Sequence, residues 1–197
     1  MIKAAIIGQG DSLKAFNPEI GYNYVMGAND AFVRCPSINV VACMDKYADI
    51  RLKRKGFFDT PKEMPFYHRL EDSTWKSYTK ERGNSFAVKT RRWNSQYDLN
   101  PYEHLFHGYH TPFFLASLAL SKYRADELYF FGCDGGAFTE RNLASVIREY
   151  NYLSEWCKVF IPASSSIWWR QQHDNCHLTD NKGRKVDIFL SEEIEKI

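Results

Sequence analysis

Five short apolar runs, each ending on a turn that carries glycine, proline, asparagine or aspartate, restrict what this chain can become. Residues 2–7 open onto Gly8-Gln9-Gly10-Asp11-Ser12. Residues 22–27 lead into Ala28-Asn29-Asp30, and residues 38–44 end at Asp45. Residues 127–131 open onto Gly132-Cys133-Asp134-Gly135-Gly136, and residues 159–161 precede Pro162. Runs this short, rich in β-branched and aromatic residues, are strands. Two helical patterns accompany the later runs. Thr111 is placed to cap the first, with Pro112 as its first helical residue. Residues 113–123 are apolar nearly all round, which marks a buried helix. Residues 142–158 form the second, with Leu143, Val146, Ile147, Tyr150 and Leu153 at helical spacing. Strands alternating with helices specify an α/β chain with an open, mostly parallel, Rossmann-like sheet. Ligands of such sheets sit beyond the carboxyl ends of the strands. Here those ends hold residues 8–12, 29–30, 45 and 132–136.

Between positions 46 and 100 the pattern loosens and the charge changes. Thirteen basic and seven acidic residues give this stretch a net +6, against −4 for the rest of the chain. It reads as an inserted or elaborated region within one domain spanning 1–197, with a strand at 86–89. Its lysines and arginines suit phosphates, and Trp75 or Trp93 suit stacking on bases, so nucleic acid is a partner this region fits. A solvated surface or a subunit contact, and hence an oligomer, would use the same residues. The tail, 165–197, carries a hairpin signal at Asp180-Asn181-Lys182-Gly183.

Several classes are disfavoured. No apolar run is long enough to span a bilayer. The opening MIKAAIIGQG lacks the layout of a signal peptide, so the expectation is a cytoplasmic protein starting at Met1. Five cysteines, with no C-x-x-C pair, argue against a disulfide framework. Ser164-Ser165-Ser166 lacks a nucleophile elbow. His104, His107 and His110, and the group His173, Cys176 and His177, are metal-ligand types without the paired spacing of a structural zinc site.

The strand ends supply the candidate site. Gly8, Gln9, Gly10, Asp11 and Ser12 form a loop whose N–H groups can face an anionic or polar ligand, although it is neither a Walker loop nor a full G-x-G-x-x-G. The same residues would equally make a tight turn. Asn29, Asp30 and Asp45 suit ribose hydroxyls, a base edge or a divalent cation, and suit capping as well. His110, just before the buried helix, is the candidate general acid or base.

These residues also resemble a known family. AAIIGQGDSLKAF is similar to the opening of the sialyltransferases of glycosyltransferase family 42 and of the related DUF115 and archaeal pterin pyrophosphokinase group, which begin with a strand and a G-x-G-P-S-L loop. VMGANDAFVR resembles their second strand, whose following Asn contacts the nucleotide. YHTPFFLASLALSKYRADELYFFGCDGG resembles their Thr-Ser-Gly, apolar helix, strand and Ser-Gly-Ile-Asp succession. The resemblance covers residues 2–45 and 107–164. It implies a Rossmann-like fold that binds a nucleotide or a nucleotide sugar such as a CMP-linked one. Gly8, Gly10, Ser12, Asn29 and Asp134 match, Gln9 replaces Asn and Asp11 replaces Pro. The lid that carries the sialyltransferases' catalytic His has no counterpart between Gly136 and Arg141.

The resulting expectation is a nucleotide- or nucleotide-sugar-dependent transferase acting on an unknown, acidic acceptor. Gly8, Gln9, Gly10, Asp11, Ser12, Asn29, Asp30, Thr111 and Gly132 would bind the donor, and His110, Asp45 and Asp134 would serve catalysis. A Mg²⁺-dependent diphosphotransferase with the ion at Asp45 and Asp134 is the second expectation. A non-catalytic protein that binds nucleotide or nucleic acid is the third.

Overall fold

A computed structural model describes residues 1–44, 52, 54–57, 64–69, 84–94, 99–108, 110–134, 140–165, 175–180 and 182–186. Asp45, Trp75, Tyr109, Gly135, Gly136, Ser166, His173 and Asn181 lie outside the described residues.

The fold is the expected α/β, Rossmann-like one. Its strands are β1 (Lys3–Ile7), β2 (Tyr24–Ala28), β3 (Val40–Cys43), β4 (Phe66–Arg69), β5 (Ser85–Val88), β6 (Arg91–Arg92), β7 (Phe106–His107), β8 (Glu127–Phe131), β9 (Lys158–Pro162), β10 (Cys176–Thr179) and β11 (Lys185–Val186). Two α-helices matter to the site, α1 (Thr111–Ser121) and α2 (Glu140–Ser154). Nine strands form one sheet in the order β11-β10-β9-β8-β1-β2-β3-β4-β5. Every pairing in it is parallel except β10 with β11, the expected hairpin. All five apolar runs are strands. The buried helix begins one residue early: His110 occupies the N-cap position without a side-chain cap, and Thr111 is already helical. The second helix ends at Ser154, because the chain must turn to enter β9 at Lys158.

Period-two alternation builds two cores. Ala4, Ile6, Met26, Ala28, Val40, Ala42, Leu128, Phe130, Val159 and Ile161 pack with α1 and α2 on one face. Ala5, Ile7, Val25, Val41, Cys43, Tyr129, Phe131 and Phe160 pack on the other, under Ala15, Ala31, Ile38 and Phe57. From Phe113 to Leu120 every residue of α1 is buried, which explains its lack of a polar face. None of the five cysteines forms a disulfide.

The middle of the chain is more regular than its composition implies. β4 continues the sheet beside β3, and β5 beside β4, so residues 46–100 extend the fold and do not merely decorate it. β6 pairs in parallel with β7 in a second small sheet. Trp93, expected as a base-stacking residue, instead packs against Phe113 at 5.6 Å and Tyr152 at 5.4 Å between ring centroids. Its large apolar ring is better placed against this core than in water.

One buried charge ties the edge of the sheet to its centre. Glu127, at the start of β8, is almost fully buried. Its carboxyl accepts from the Lys185 ammonium at 2.7 Å and from the Tyr129 hydroxyl at 2.8 Å. Burial alone would raise its pKa, but those hydrogen bonds and the charges of Lys185 and Lys3 outweigh it, leaving the pKa below its ordinary 4.5. A carboxyl depressed in the folded state stabilises the fold above its ordinary pKa, and that contribution disappears as pH falls through the folded value. Lys185→Met should therefore cost about 1–3 kcal/mol at pH 7, with the gap to wild type closing below pH ~4. Urea denaturation at pH 7 and at acid pH measures both.

Candidate functional site

The sheet changes direction between β1 and β8. From β1 the chain steps outward to β5 on one side, and from β8 it steps to β11 on the other. A crevice opens beyond the carboxyl ends of two such strands, because the connections leave them in opposite directions. Here those ends carry residues 8–12 and 132–134.

The two loops are bonded to each other. Gly8 N–H donates to the Phe131 carbonyl at 2.7 Å, and Gly10 N–H to the Gly132 carbonyl at 2.7 Å. Ser12 N–H donates to Asp134 Oδ2 at 2.8 Å, while its hydroxyl donates to Asp134 Oδ1. That hydroxyl also accepts from Gly132 N–H at 2.9 Å. A Cβ on Gly8 would collide with the Gly132 carbonyl, and one on Gly10 with the Asp134 carboxyl. Gly132 has φ +67°, a conformation that suits glycine. The amides of Gly8, Gly10 and Ser12 are thus spent within the protein.

β2 and β3 supply the next layer. Asn29 has φ +56°, rare for a residue with a side chain though asparagine tolerates it best. Its Oδ1 accepts from the Cys43 thiol at 3.0 Å and lies 3.4 Å from the Thr111 hydroxyl, linking β2, β3 and α1. Asp30 accepts from the Gln9 side-chain amide. The Gln9 carbonyl accepts from Arg34 Nη1 at 2.7 Å.

His110 stands at the start of α1. Its Nδ1 lies 2.8 Å from Glu149 Oε2, with the histidine side chain 7% exposed and the glutamate wholly buried. Gly108 makes room for this acid, since a Cβ there would strike Glu149 Oε1. The ring of Tyr150 meets that of His110 edge-on at 5.8 Å. Burial holds the Tyr150 phenol far above its usual pKa, and Cys133, Glu149 and Asp134 push the same way. Burial, followed by the charge of Asp134, likewise raises the Cys133 thiol. Both groups stay protonated, so neither is a nucleophile.

The expected residues therefore divide. Gln9, Asn29, Asp30 and Thr111 meet around the ends of β1, β2 and β3, while Gly8, Gly10, Ser12, Gly132 and Asp134 knit the two central loops together. Asp45 lies outside the described residues. The three evenly spaced histidines separate: His104 packs on Phe106, His107 Nδ1 lies 2.9 Å from the Thr90 hydroxyl, and His110 meets Glu149. Among the described residues no group of three or more His, Cys, Asp or Glu is placed to hold a metal ion. Glu149 escaped notice in the sequence, yet it sits three residues after Val146 and four before Leu153, on the apolar stripe of α2. An acid on such a stripe is the signal that would have revealed it. Arg34 gave no such signal, because its reach to Gln9 depends on the turn at Asn29–Val33.

No family model matches the chain, and no curated protein is significantly similar to it. Among solved structures, the sialyltransferase CstII from Campylobacter jejuni, in complex with the substrate analogue CMP-3FNeuAc, has a similar fold. The TM-score is 0.56 at 14% identity, over 100% of this chain and 98% of that one. The two share their fold along their whole length.

The tight loop packing is directly testable. Gly8→Ala places a methyl group against backbone that cannot yield, and should destabilise the protein by about 3 kcal/mol or more. Gly21→Ala, with φ +74° but nothing within 4 Å, should cost only about 1 kcal/mol. Chemical denaturation of the two variants separates packing from conformational strain.

Proposed function

We propose that the chain is a nucleotide-sugar-dependent transferase of glycosyltransferase type. The observation that carries this reading is the buried His110–Glu149 contact at 2.8 Å, at the start of the helix that Asn29 joins to the ends of β2 and β3. The fold shared with a sialyltransferase captured with a CMP-sugar analogue supports it. The donor lies across the ends of β1 and β2, against Gln9, Asp11, Asn29, Asp30 and Thr111. Gly8, Gly10, Ser12, Gly132 and Asp134 hold the floor of that site rather than touching the charge.

His110 is the general base. The Glu149 carboxylate, 2.8 Å from Nδ1, faces the imidazolium that forms. Nε2, enclosed in the structure, must be uncovered by substrate binding; it then takes the proton of an acceptor hydroxyl as the acceptor oxygen bonds to the anomeric carbon. The bond from that carbon to the donor's phosphate oxygen breaks, and the nucleotide leaves with the electron pair. An acidic acceptor would be drawn by the exposed Arg91 and Arg92 of β6, whose partner strand β7 ends three residues before His110.

No observation favours the diphosphotransferase. Its metal would need Asp134, both of whose carboxyl oxygens accept hydrogen bonds from Ser12. Nor does one favour nucleic acid binding, since Trp93 is packed against the core.

The test is a thermal-shift panel of CMP-, UDP- and GDP-linked sugars, followed by turnover of whichever donor binds. His110→Asn keeps a good N-cap residue and should leave donor affinity within about twofold while lowering turnover at least about 100-fold. Glu149→Gln should lower turnover less. Unchanged turnover in His110→Asn would remove the histidine from the mechanism, and a flat panel would remove the donor.

A further inference from the structure

The packing of the central loops raises a question about charge. A sugar nucleotide carries at least one phosphate, and a glycine-containing loop after a first strand ordinarily receives it on backbone N–H groups. In this chain the amides of Gly8, Gly10 and Ser12 all donate inward, to Phe131, Gly132 and Asp134. The first turn also brings in an acid, Asp11, and the neighbouring turn brings in Asp30. Left to its loop and its carboxyls, this edge of the sheet would repel a phosphate.

Arg34 reverses that balance. It closes the turn after β2, where its own N–H donates to the Ala31 carbonyl and fixes the backbone. Its guanidinium reaches across to β1, and Nη1 donates to the Gln9 carbonyl at 2.7 Å. Gln9 is held in turn by its side-chain amide on Asp30. The arginine is exposed, and no carboxylate among the described residues lies within ion-pair distance of it. One of its five N–H groups is used to fix its position, which leaves the outer edge of a planar fork that matches phosphate oxygens.

We infer that Arg34, anchored on the Gln9 carbonyl, recognises the phosphate of the nucleotide donor. The inference rests on the donor site proposed above and names the residue that supplies its positive charge. Because the anchor uses a carbonyl, the guanidinium carries its full charge to the ligand, and the ordering of a long side chain has already taken place before binding. Lysine would not substitute well: an ammonium bonded to Gln9 has no second edge to present.

The experiment measures binding of CMP, UMP, AMP and GMP, each beside its unphosphorylated nucleoside, to wild type, Arg34→Gln and Arg34→Lys by calorimetry. A thermal melt of each variant reports folding. Wild type should bind at least one nucleotide more tightly than its nucleoside. Arg34→Gln should lose about tenfold in affinity for that nucleotide, leave the nucleoside unchanged and flatten the salt dependence. Arg34→Lys should recover only part of the loss. Wild-type binding with the phosphate preference intact in Arg34→Gln would overturn the role of Arg34 while leaving the donor site standing. Absence of any nucleotide binding by wild type would overturn both. Equal loss for nucleotide and nucleoside would show that Arg34 serves only to hold the loop.

Discussion

Ser12 and Asp134 make the contact on which the rest of the site depends. Two strands adjacent in space but 124 residues apart in the chain, Lys3 facing Glu127, must end at the same level for a crevice to form between their connections. The Ser12 hydroxyl settles this by donating to Asp134 while accepting from the Gly132 amide. Glycine at positions 8, 10 and 132 is the steric consequence, since the loops lie too close for side chains. The arrangement fixes the floor of the site and uses up the groups that would otherwise have met a ligand. Under the proposed function, recognition then falls to the rim, to Gln9, Asn29, Asp30 and Thr111.

The second constraint is burial. α1 is enclosed almost entirely, so the residue at its start is carried into the protein with it. His110 enters an apolar setting walled by Tyr150, and an acid on the neighbouring helix meets it there. Placing a glutamate on the buried stripe of α2 carries a desolvation cost, and the glycine at 108 that admits it carries one of backbone entropy. Asn29, in a left-handed conformation at the end of β2, belongs to the same pattern of strain gathered at one edge of the sheet.

Much of the fold was legible because parallel strands buried on both faces must be apolar along their whole length. β1, β3 and β8 announce themselves in this way, as does α1. β4 did not, since Phe66, Tyr67 and His68 are a mixed run that becomes a strand only when β3 offers an open edge. Trp93 looked like a nucleic-acid residue by its basic neighbours, and tertiary packing decided otherwise. At the strand ends the sequence could not tell inward from outward: Ser12, Asp134 and the glycines bond to one another, while Gln9 pairs with Asp30 beside them. Partners such as Glu149 and Arg34 come from other elements, and only the folded arrangement brings them together.

The nucleotide donor is proposed to bind across the ends of β1 and β2, beside the β1–β8 switch point of the sheet. Amide hydrogen exchange with and without the nucleotide that binds tests it most directly. Slowed exchange is expected at 9–13, 29–34 and 111–114, with residues 84–94 unaffected. Protection confined to 84–94, or spread evenly over the chain, would contradict it.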